Sequence, residues 1–394
     1  MAGVKGRLVG HIEKRGPGKY RLTVSGGFDA SGKRIRHRRT VQADNDTEAE
    51  KLLAAFITEI EGGMYVEPSK LPFKDFVAKW LKEYAEPNLE PKTYHRYKDI
   101  LNSRIIPGLG RLKLDKIKPL HIVEFENSLR RDGVRKDGKP GGLSEKTIMQ
   151  HHRILSVIFN TAVKWGILKE NPVTRVKPPR VKKKEVPCYN EEQTAAMLAA
   201  LEQEPLKYQV IVHLTLVTGL RRGELMGLEW SDIDFDNGTL NVDRTSQYVP
   251  GKGTFVKSTK NEESKRMISL PKSTLDLLKR YKVEQNKQRL KVGDLWQGSD
   301  RIFTTWNGKP MFPDTVSNWF PKFLKKHGLP HLNFHGLRHT SATLLINEGV
   351  NIKAVSSRLG HARTSTTVDI YAKALRSADR VAAEKMENII KGAR

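Results

Sequence analysis

Between Arg175 and Lys184 the chain carries six lysines or arginines, two prolines and no acidic residue. Such a stretch has no apolar face to bury and its like charges repel, so it reads as a tether. It divides a chain of 394 residues into parts that must each build a core, in keeping with the size limit of single cores. The tether is an extreme of a general bias: 70 lysines and arginines against 44 aspartates and glutamates leave a formal charge of +26. A charge of that size selects a polyanion, either nucleic acid or an acidic membrane surface. No apolar run approaches the length of about 20 residues that a membrane span requires. Neither end reads as a strongly basic amphipathic helix, and Met1 to Leu8 carries Lys5 and Arg7 with no apolar stretch behind them. Nucleic acid is therefore the expected partner, with no membrane role. The single cysteine, Cys188, excludes an internal disulfide and a thiolate-rich zinc site. A cytoplasmic location, associated with the nucleoid, is the expectation.

Hydrophobic periodicity divides the rest. Lys19 to Val24 and Lys33 to Val41 alternate polar and apolar residues as strands do, with a Gly/Asp/Ser turn between them. Asp46 to Ile60 then places Ala, Leu and Phe at helical spacing. A domain over residues 1–65 is expected, a small three-stranded sheet plus a helix, displaying Lys33, Arg34, Arg36, Arg38 and Arg39 as candidate DNA contacts. Alone, that run reads equally as an edge strand kept from pairing by its charge. Residues 66–174 read as all-helical. Phe73, Phe76, Val77, Trp80, Leu81 and Tyr84 form one apolar stripe and belong to a core. Pro91 to Lys98 opens the next helix; basic and interleaved with aromatics, it offers Lys92, Thr93, Tyr94, Arg96 and Lys98 to DNA. Further helices are expected near Pro119 to Arg130 and Ser144 to Trp165. The tether, residues 175–187, adds Lys182, Lys183 and Lys184. From residue 188 to 394 helices alternate with a few strands, a mixed, mainly α domain of α+β class, and Asn190 to Gln193 has the form of a capping box.

Five short segments of this last part carry chemistry. In Thr218-Gly-Leu-Arg-Arg-Gly-Glu-Leu225 the glycines suit a tight turn into a helix, with Arg221 at its N-terminal end. Thr259 to Leu270 reads as a hairpin with Lys260 at or near its turn. Phe334-His-Gly-Leu-Arg-His339 puts His335 and Arg338 three apart on one helix face. Leu359-Gly-His361 and Asp369-Ile-Tyr371 follow, the tyrosine in an expected helix. Each alone is ordinary: a surface arginine, a solvated lysine, a tyrosine at the rim of a core.

In this order the five resemble the tyrosine recombinase family, the phage and transposon integrases. The wording is close at every station: Thr-Gly-Leu-Arg-x-Gly-Glu-Leu, Lys-x-x-x-Ser-x-Arg, His-x-Leu-Arg-His, and Leu-Gly-His followed by Ser-Thr-Thr-x-x-x-Tyr. The resemblance is strongest from Asn190 to Arg376. It implies a catalytic domain at 188–394, a core-site-binding domain at 66–174 and an arm-site-binding domain at 1–65. It also implies that Arg221 and Arg338 hold a scissile phosphate with Lys260, His335 and His361 around it. Glu224 would orient Arg221, and Tyr371 would attack. Lys260 is preferred over neighbouring Lys257 and Lys265 because it stands six before Arg266, as the family pattern asks.

The chemistry fits these residue types. Two guanidinium groups bind phosphate oxygens bidentately, and more strongly as charge grows in the transition state. A tyrosine hydroxyl, with an ordinary pKa of about 10, is a poor nucleophile at neutral pH. Surrounding cations favour its phenolate, and His335 can take the proton. The ester to Tyr371 stores the bond energy, so rejoining needs no ATP, and Lys260 can protonate the leaving 5′ oxygen. By resemblance the intermediate is a 3′-phosphotyrosine. No carboxylate cluster has metal-ligand spacing and no Gly-rich phosphate loop is present, so neither metal nor cofactor is expected. The expected reaction is site-specific integration and excision of a phage or conjugative element. The expected partners are double-stranded DNA at core and arm sites, a homotetramer, and an excisionase and a DNA-bending host factor as accessories. A type IB topoisomerase and a DNA-binding regulator that no longer cuts are the alternatives. A rough apolar stripe over Ala374, Leu375, Val381, Ala382, Met386, Ile389 and Ile390 marks a terminal helix that needs a partner surface, on its own domain or on a neighbouring subunit.

Overall fold

The structure, a computed structural model, describes residues 8–28, 31–62, 65–66, 71–182, 186–251, 253–258, 265–360, 383, 386–387 and 389–391. The chain forms two compact units, Met1–Lys182 and Lys183–Arg394. The division falls inside the basic tether.

The first unit opens with three antiparallel strands in the order β1-β2-β3: β1 (Gly10–Gly16), β2 (Lys19–Phe28) and β3 (Arg34–Gln42). The alternation seen in the sequence is real. Tyr20, Leu22 and Val24 of β2 are buried on one face, where α1 (Asp46–Glu61) covers them with Ala49 and Phe56. Asn45 caps α1 by accepting the Glu48 N–H at 2.9 Å, which satisfies one of the orphan donors of the first turn.

A helical layer follows. α2 (Phe73–Trp80) passes through a π-helical turn, Leu81–Ala85, into α3 (Glu86–Asn88). α4 (Pro91–Ile100) passes through a second π turn, Leu101–Ile105, into α5 (Ile106–Leu109). α6 (Pro119–Ser128) and α7 (Glu145–Lys164) complete the layer. The Phe73 stripe is core, as its spacing requires: Phe73, Phe76, Val77 and Trp80 are fully buried. Phe73 stacks on Phe159 of α7 at 5.4 Å, and the Trp80 indole donates to Thr161 Oγ1 at 3.1 Å, as a buried Trp must. Each such aromatic contributes about 1.5–3 kcal/mol by leaving water. Val176 and Pro179 are buried too, so the start of the basic stretch is packed, and the exposed run begins only at Arg180.

In the second unit α8 (Glu191–Leu201) starts at the expected capping box, with Asn190 and Gln193 each accepting the other's backbone N–H. α9 (Leu206–Thr218) is apolar nearly all round and runs through the core, burying Val210, Ile211, Val212 and Leu214; a helix with no polar face has nowhere else to lie. After α10 (Arg222–Gly227) come β4 (Ile233–Asp234), β5 (Thr239–Val242), β6 (Arg244–Val249), β7 (Gly253–Ser258) and β8 (Arg266–Ser269). α11 (Lys272–Val292), α12 (Pro313–Lys326), α13 (Gly336–Asn347) and α14 (Ile352–Leu359) follow.

The sheet pairing corrects one expectation. Among the described residues, the strand Arg266–Ser269 finds its partner far back in the chain and not in the strand that precedes it. β8 pairs with β5 in a β4-β5-β8 sheet, and β7 pairs with β6. Thr259 to Leu270 read locally as a hairpin, whereas the apolar residues of β8 are drawn to β5: Ile268 sits opposite Leu240, both buried.

Candidate active site

Two helix ends and two helix starts meet around a set of arginines. Gly219, at φ 65°, ends α9 in a left-handed turn. A Cβ there would also stand 2.2 Å from Leu359 Cδ2, so both backbone and packing require glycine. The turn sets Arg221 as the N-cap of α10. Its guanidinium donates to Glu224 Oε1 at 2.7 Å and to the Gly360 carbonyl at 2.8 Å, while its backbone N–H donates to Glu224 Oε2 at 3.0 Å. Glu224 is buried, 3% exposed. Burial pushes its carboxyl upward, but the charge and hydrogen bond of Arg266, then Arg221, outweigh this and hold it below the usual carboxylate range.

Arg338, in the first turn of α13, is 2% exposed, and Nη1 donates to the Gly219 carbonyl at 2.7 Å. His335 is the N-cap of the same helix and lies on the exposed side. The crowding of its ring by protein, then the charges of Arg338 and Arg221, lower its pKa. His335 is thereby kept neutral near pH 7, the form that can accept a proton. His339 sits edge-on to it at 4.9 Å; burial, then His335 and Arg338, push it down to about 4.

Sequence reading therefore brought Arg221, Glu224, His335 and Arg338 to one place. Lys260, His361 and Tyr371 lie outside the described residues. Two arginines of the cluster were not singled out. Arg266 donates to Glu224 Oε2 at 2.9 Å and to the Arg358 carbonyl at 2.7 Å. Arg358 donates to the Val217 and Ser269 carbonyls at 3.0 and 3.2 Å. The Lys-x-x-x-Ser-x-Arg spacing had pointed at Arg266, as a ruler for Lys260 rather than as a participant.

The DNA candidates of the first unit divide by face. Arg34, Arg36 and Arg38 alternate along β3 and are exposed, as is Lys33. Arg39 points the other way: its guanidinium lies 4.3 Å from the Phe56 ring centre and 2.6 Å from Glu59. It fastens β3 to α1. On α4, Lys92, Arg96 and Lys98 are exposed, while Thr93 and Tyr94 are half-buried, Tyr94 against the helical core. Lys182 is exposed; Lys183 and Lys184 lie outside the described residues. Of the terminal stripe only Met386, Ile389 and Ile390 are described, and all three are exposed. No described helix is long and apolar enough to cross a membrane.

Comparison with known proteins gives the family of the chain and the likeness of its fold. Residues 188–377 match the Phage integrase family, and residues 72–130 match the family's N-terminal SAM-like domain. A XerC-like tyrosine recombinase of Caldanaerobacter subterraneus subsp. tengcongensis is 31% identical, covering 91% of this chain and 93% of its own. The ICEBs1 integrase of Bacillus subtilis is 28% identical over 96% of this chain and all of its own length. The fold resembles that of the Tn1549 transposon integrase, solved in complex with a circular intermediate DNA. The TM-score is 0.63 at 22% identity, over 79% of this chain and 100% of that one.

Proposed function

The chain belongs to the phage integrase family and is a tyrosine recombinase, and from this premise we propose that Tyr371 cuts DNA on a phosphate held by Arg221 and Arg338. The enzyme is a site-specific integrase that breaks and rejoins DNA strands through a phosphotyrosine and moves a mobile element in and out of a chromosome. The observation that carries the assignment of roles is how the two arginines are held. Arg338 is anchored on a backbone carbonyl and Arg221 on a carbonyl and a buried carboxylate, so both are oriented before any phosphate arrives. Neutral His335 beside them is suited to take the tyrosine proton, Lys260 to protonate the leaving 5′ oxygen, and His361 to complete the set. The intermediate is a 3′-phosphotyrosine with a free 5′ hydroxyl, as family membership implies.

Residues 66–174 bind the core site, with Lys92, Arg96 and Lys98 facing DNA. Residues 1–65 bind a second, arm-type site through Arg34, Arg36 and Arg38. Lys182, Lys183 and Lys184 of the tether add contacts to the DNA backbone. Four strands are exchanged, so four subunits assemble on two duplexes, in the bacterial cytoplasm; an excisionase and a bending protein are the accessories such a reaction uses. The test is a nicked duplex carrying one core site, taken from the direct repeats that flank the element's gene. Wild type should form a covalent adduct and Tyr371→Phe none, with binding within a few-fold. An adduct that persists in the mutant, mapped to another tyrosine, would overturn the assignment.

A further inference from the structure

Arg266 is 7% exposed at its side chain and makes three contacts on two segments that are far apart in sequence. It sits at the start of β8, directly after the residues that include Lys260. Its Nη2 binds Glu224 Oε2 at 2.9 Å, the same carboxylate whose other contacts fix Arg221 by side chain and backbone. Its Nε binds the carbonyl of Arg358 at 2.7 Å, in the last turn of α14. The third contact is with Gly360. This residue ends α14 at φ 66°, and a Cβ there would stand 2.8 Å from Arg266 Nη1 and 3.1 Å from Cζ. Glycine is thus needed both for the left-handed turn and for the guanidinium lying against it. Gly360 in turn accepts from Arg221 at 2.8 Å, and it directly precedes His361. A closed circuit results: Arg266 to Glu224, Glu224 to Arg221, Arg221 to Gly360, and Gly360 back against Arg266.

We infer that Arg266 is a positioning residue for strand cleavage, the side chain that sets the β8, α10 and α14 ends in register so that Arg221 is held in the orientation in which it meets the phosphate. It need not touch DNA. Its planar fork supplies two directed donors where a single ammonium supplies a point charge, which suits a residue that must fix an angle between a carboxylate and a carbonyl. The inference rests on the recombinase reading above.

Charge gives the role a signature that packing alone would not. The groups facing Glu224 are Arg266 from β8, Arg221 from the start of α10 and His335 from α13, with Arg358 of α14 on the far side of Arg266. Burial raises the Glu224 carboxyl and Arg266 is the largest of the influences lowering it. Remove Arg266 and the carboxyl becomes harder to ionise, so Glu224 turns neutral as pH falls and releases Arg221.

The test compares wild type, Arg266→Gln, Arg266→Lys, Glu224→Gln and the Arg266→Gln/Glu224→Gln double variant. Each is measured as full-length protein on the nicked core-site duplex from pH 6 to 9, with duplex affinity and thermal midpoint alongside. Arg266→Gln should bind within about threefold and fold normally, yet form adduct about 10²-fold more slowly, the scale of a lost transition-state donor. The deficit should shrink as pH rises, Arg266→Lys should recover part of the rate, and the double variant should be no slower than the worse single. Three outcomes overturn the inference. One is an adduct rate within threefold of wild type at every pH, another a deficit that is flat with pH and tracks a fallen thermal midpoint, and the third a multiplicative double variant. Urea unfolding of the same four variants without DNA keeps the two readings apart. If no protein, wild type included, forms adduct, non-additive stabilities of Arg266→Gln and Glu224→Gln still support the circuit and the recombinase roles fail instead. Additive stabilities overturn the circuit itself.

Discussion

Replacing Glu224 by glutamine removes one charge from the buried centre of the site and changes almost nothing in shape. The carboxylate takes three hydrogen bonds, from the Arg221 N–H, Arg221 Nη1 and Arg266 Nη2 at 3.0, 2.7 and 2.9 Å. Bonds to a charged group contribute about 1.5–3 kcal/mol each, so the gross loss is about 4.5–9 kcal/mol if all three fail. Two corrections reduce it. Glutamine keeps one acceptor oxygen, and the Arg221 side chain is 39% exposed, so solvent screens its share. About 2–4 kcal/mol remains, just below the range of about 3–5 kcal/mol for breaking a fully buried pair. Against a total stability of about 5–15 kcal/mol this is large enough to read directly as a shifted urea midpoint at constant slope. Adduct formation on the nicked duplex should fall about 10²-fold, because Arg221 loses its orientation rather than its charge. A midpoint shift worth less than about 1 kcal/mol, together with a near-normal cleavage rate, would show that the carboxylate spends its attraction on its own desolvation and orients nothing.

Three further outcomes are expected. Arg338→Lys should lose about 10²–10³ in cleavage rate with little loss of DNA binding, since lysine cannot hold the Gly219 carbonyl and a phosphate oxygen with one planar fork; near-normal cleavage would reduce Arg338 to a support of the fold. Arg34, Arg36 and Arg38 changed together to Gln should lower the slope of log affinity against log salt on arm-site DNA by up to about 2.7, about 0.9 per phosphate contact. Arg39→Gln should leave that slope alone and destabilise the sheet, a pattern that salt titration and melting can contradict. His339, depressed to about 4, binds a proton more readily unfolded than folded between that value and the ordinary 6.5. Stability should therefore fall as pH drops through that window; His339→Gln should flatten the dependence, and an unchanged pH profile would refute it.

How far the sequence reached depended on which physical signal each feature carries. The Phe73 stripe, the alternation of β2 and β3, and the Asn190 cap are local, and each stands where its spacing put it. The third strand was harder to place, because β1 has Ile12 as its one large apolar residue and offers no alternation to read. The pairing of β8 with β5 instead of a neighbouring strand is a long-range choice made by burial of Ile268 and Leu240, invisible in a local window. Arg39 was grouped with Arg34, Arg36 and Arg38 by composition, whereas the twofold period of a strand already assigns it to the opposite face. Arg266 and Arg358 were missed for a different reason. Their partners are mostly backbone carbonyls and a carboxylate 42 positions away from Arg266, and nothing in a motif says which carbonyls will end a helix beside it.

Those carbonyls explain how the second unit keeps four arginines together without neutralising them. Among the described residues of the cluster Glu224 is the only carboxylate, and it serves Arg221 and Arg266. Apart from the Ser269 carbonyl of β8, which accepts from Arg358, the rest of the stabilisation comes from the ends of two helices. α9 ends at Thr218 and α14 at Leu359, and the last carbonyls of any helix lack intrahelical partners. Val217 and Gly219 at the end of α9 accept from Arg358 and Arg338. Arg358 and Gly360 at the end of α14 accept from Arg266 and Arg221. Each helix end also carries about half a negative charge from its aligned peptides, enough to hold a guanidinium and too little to cancel it. A carboxylate at each of these positions would have anchored the arginines more tightly and consumed the charge that a phosphate must meet. With carbonyls in that role the cluster stays net positive and gains attraction as a transition state adds charge to the phosphate oxygens. The two left-handed glycines that end these helices therefore matter to the chemistry: they turn the chain sharply enough that both sets of carbonyls face inward, toward the arginines.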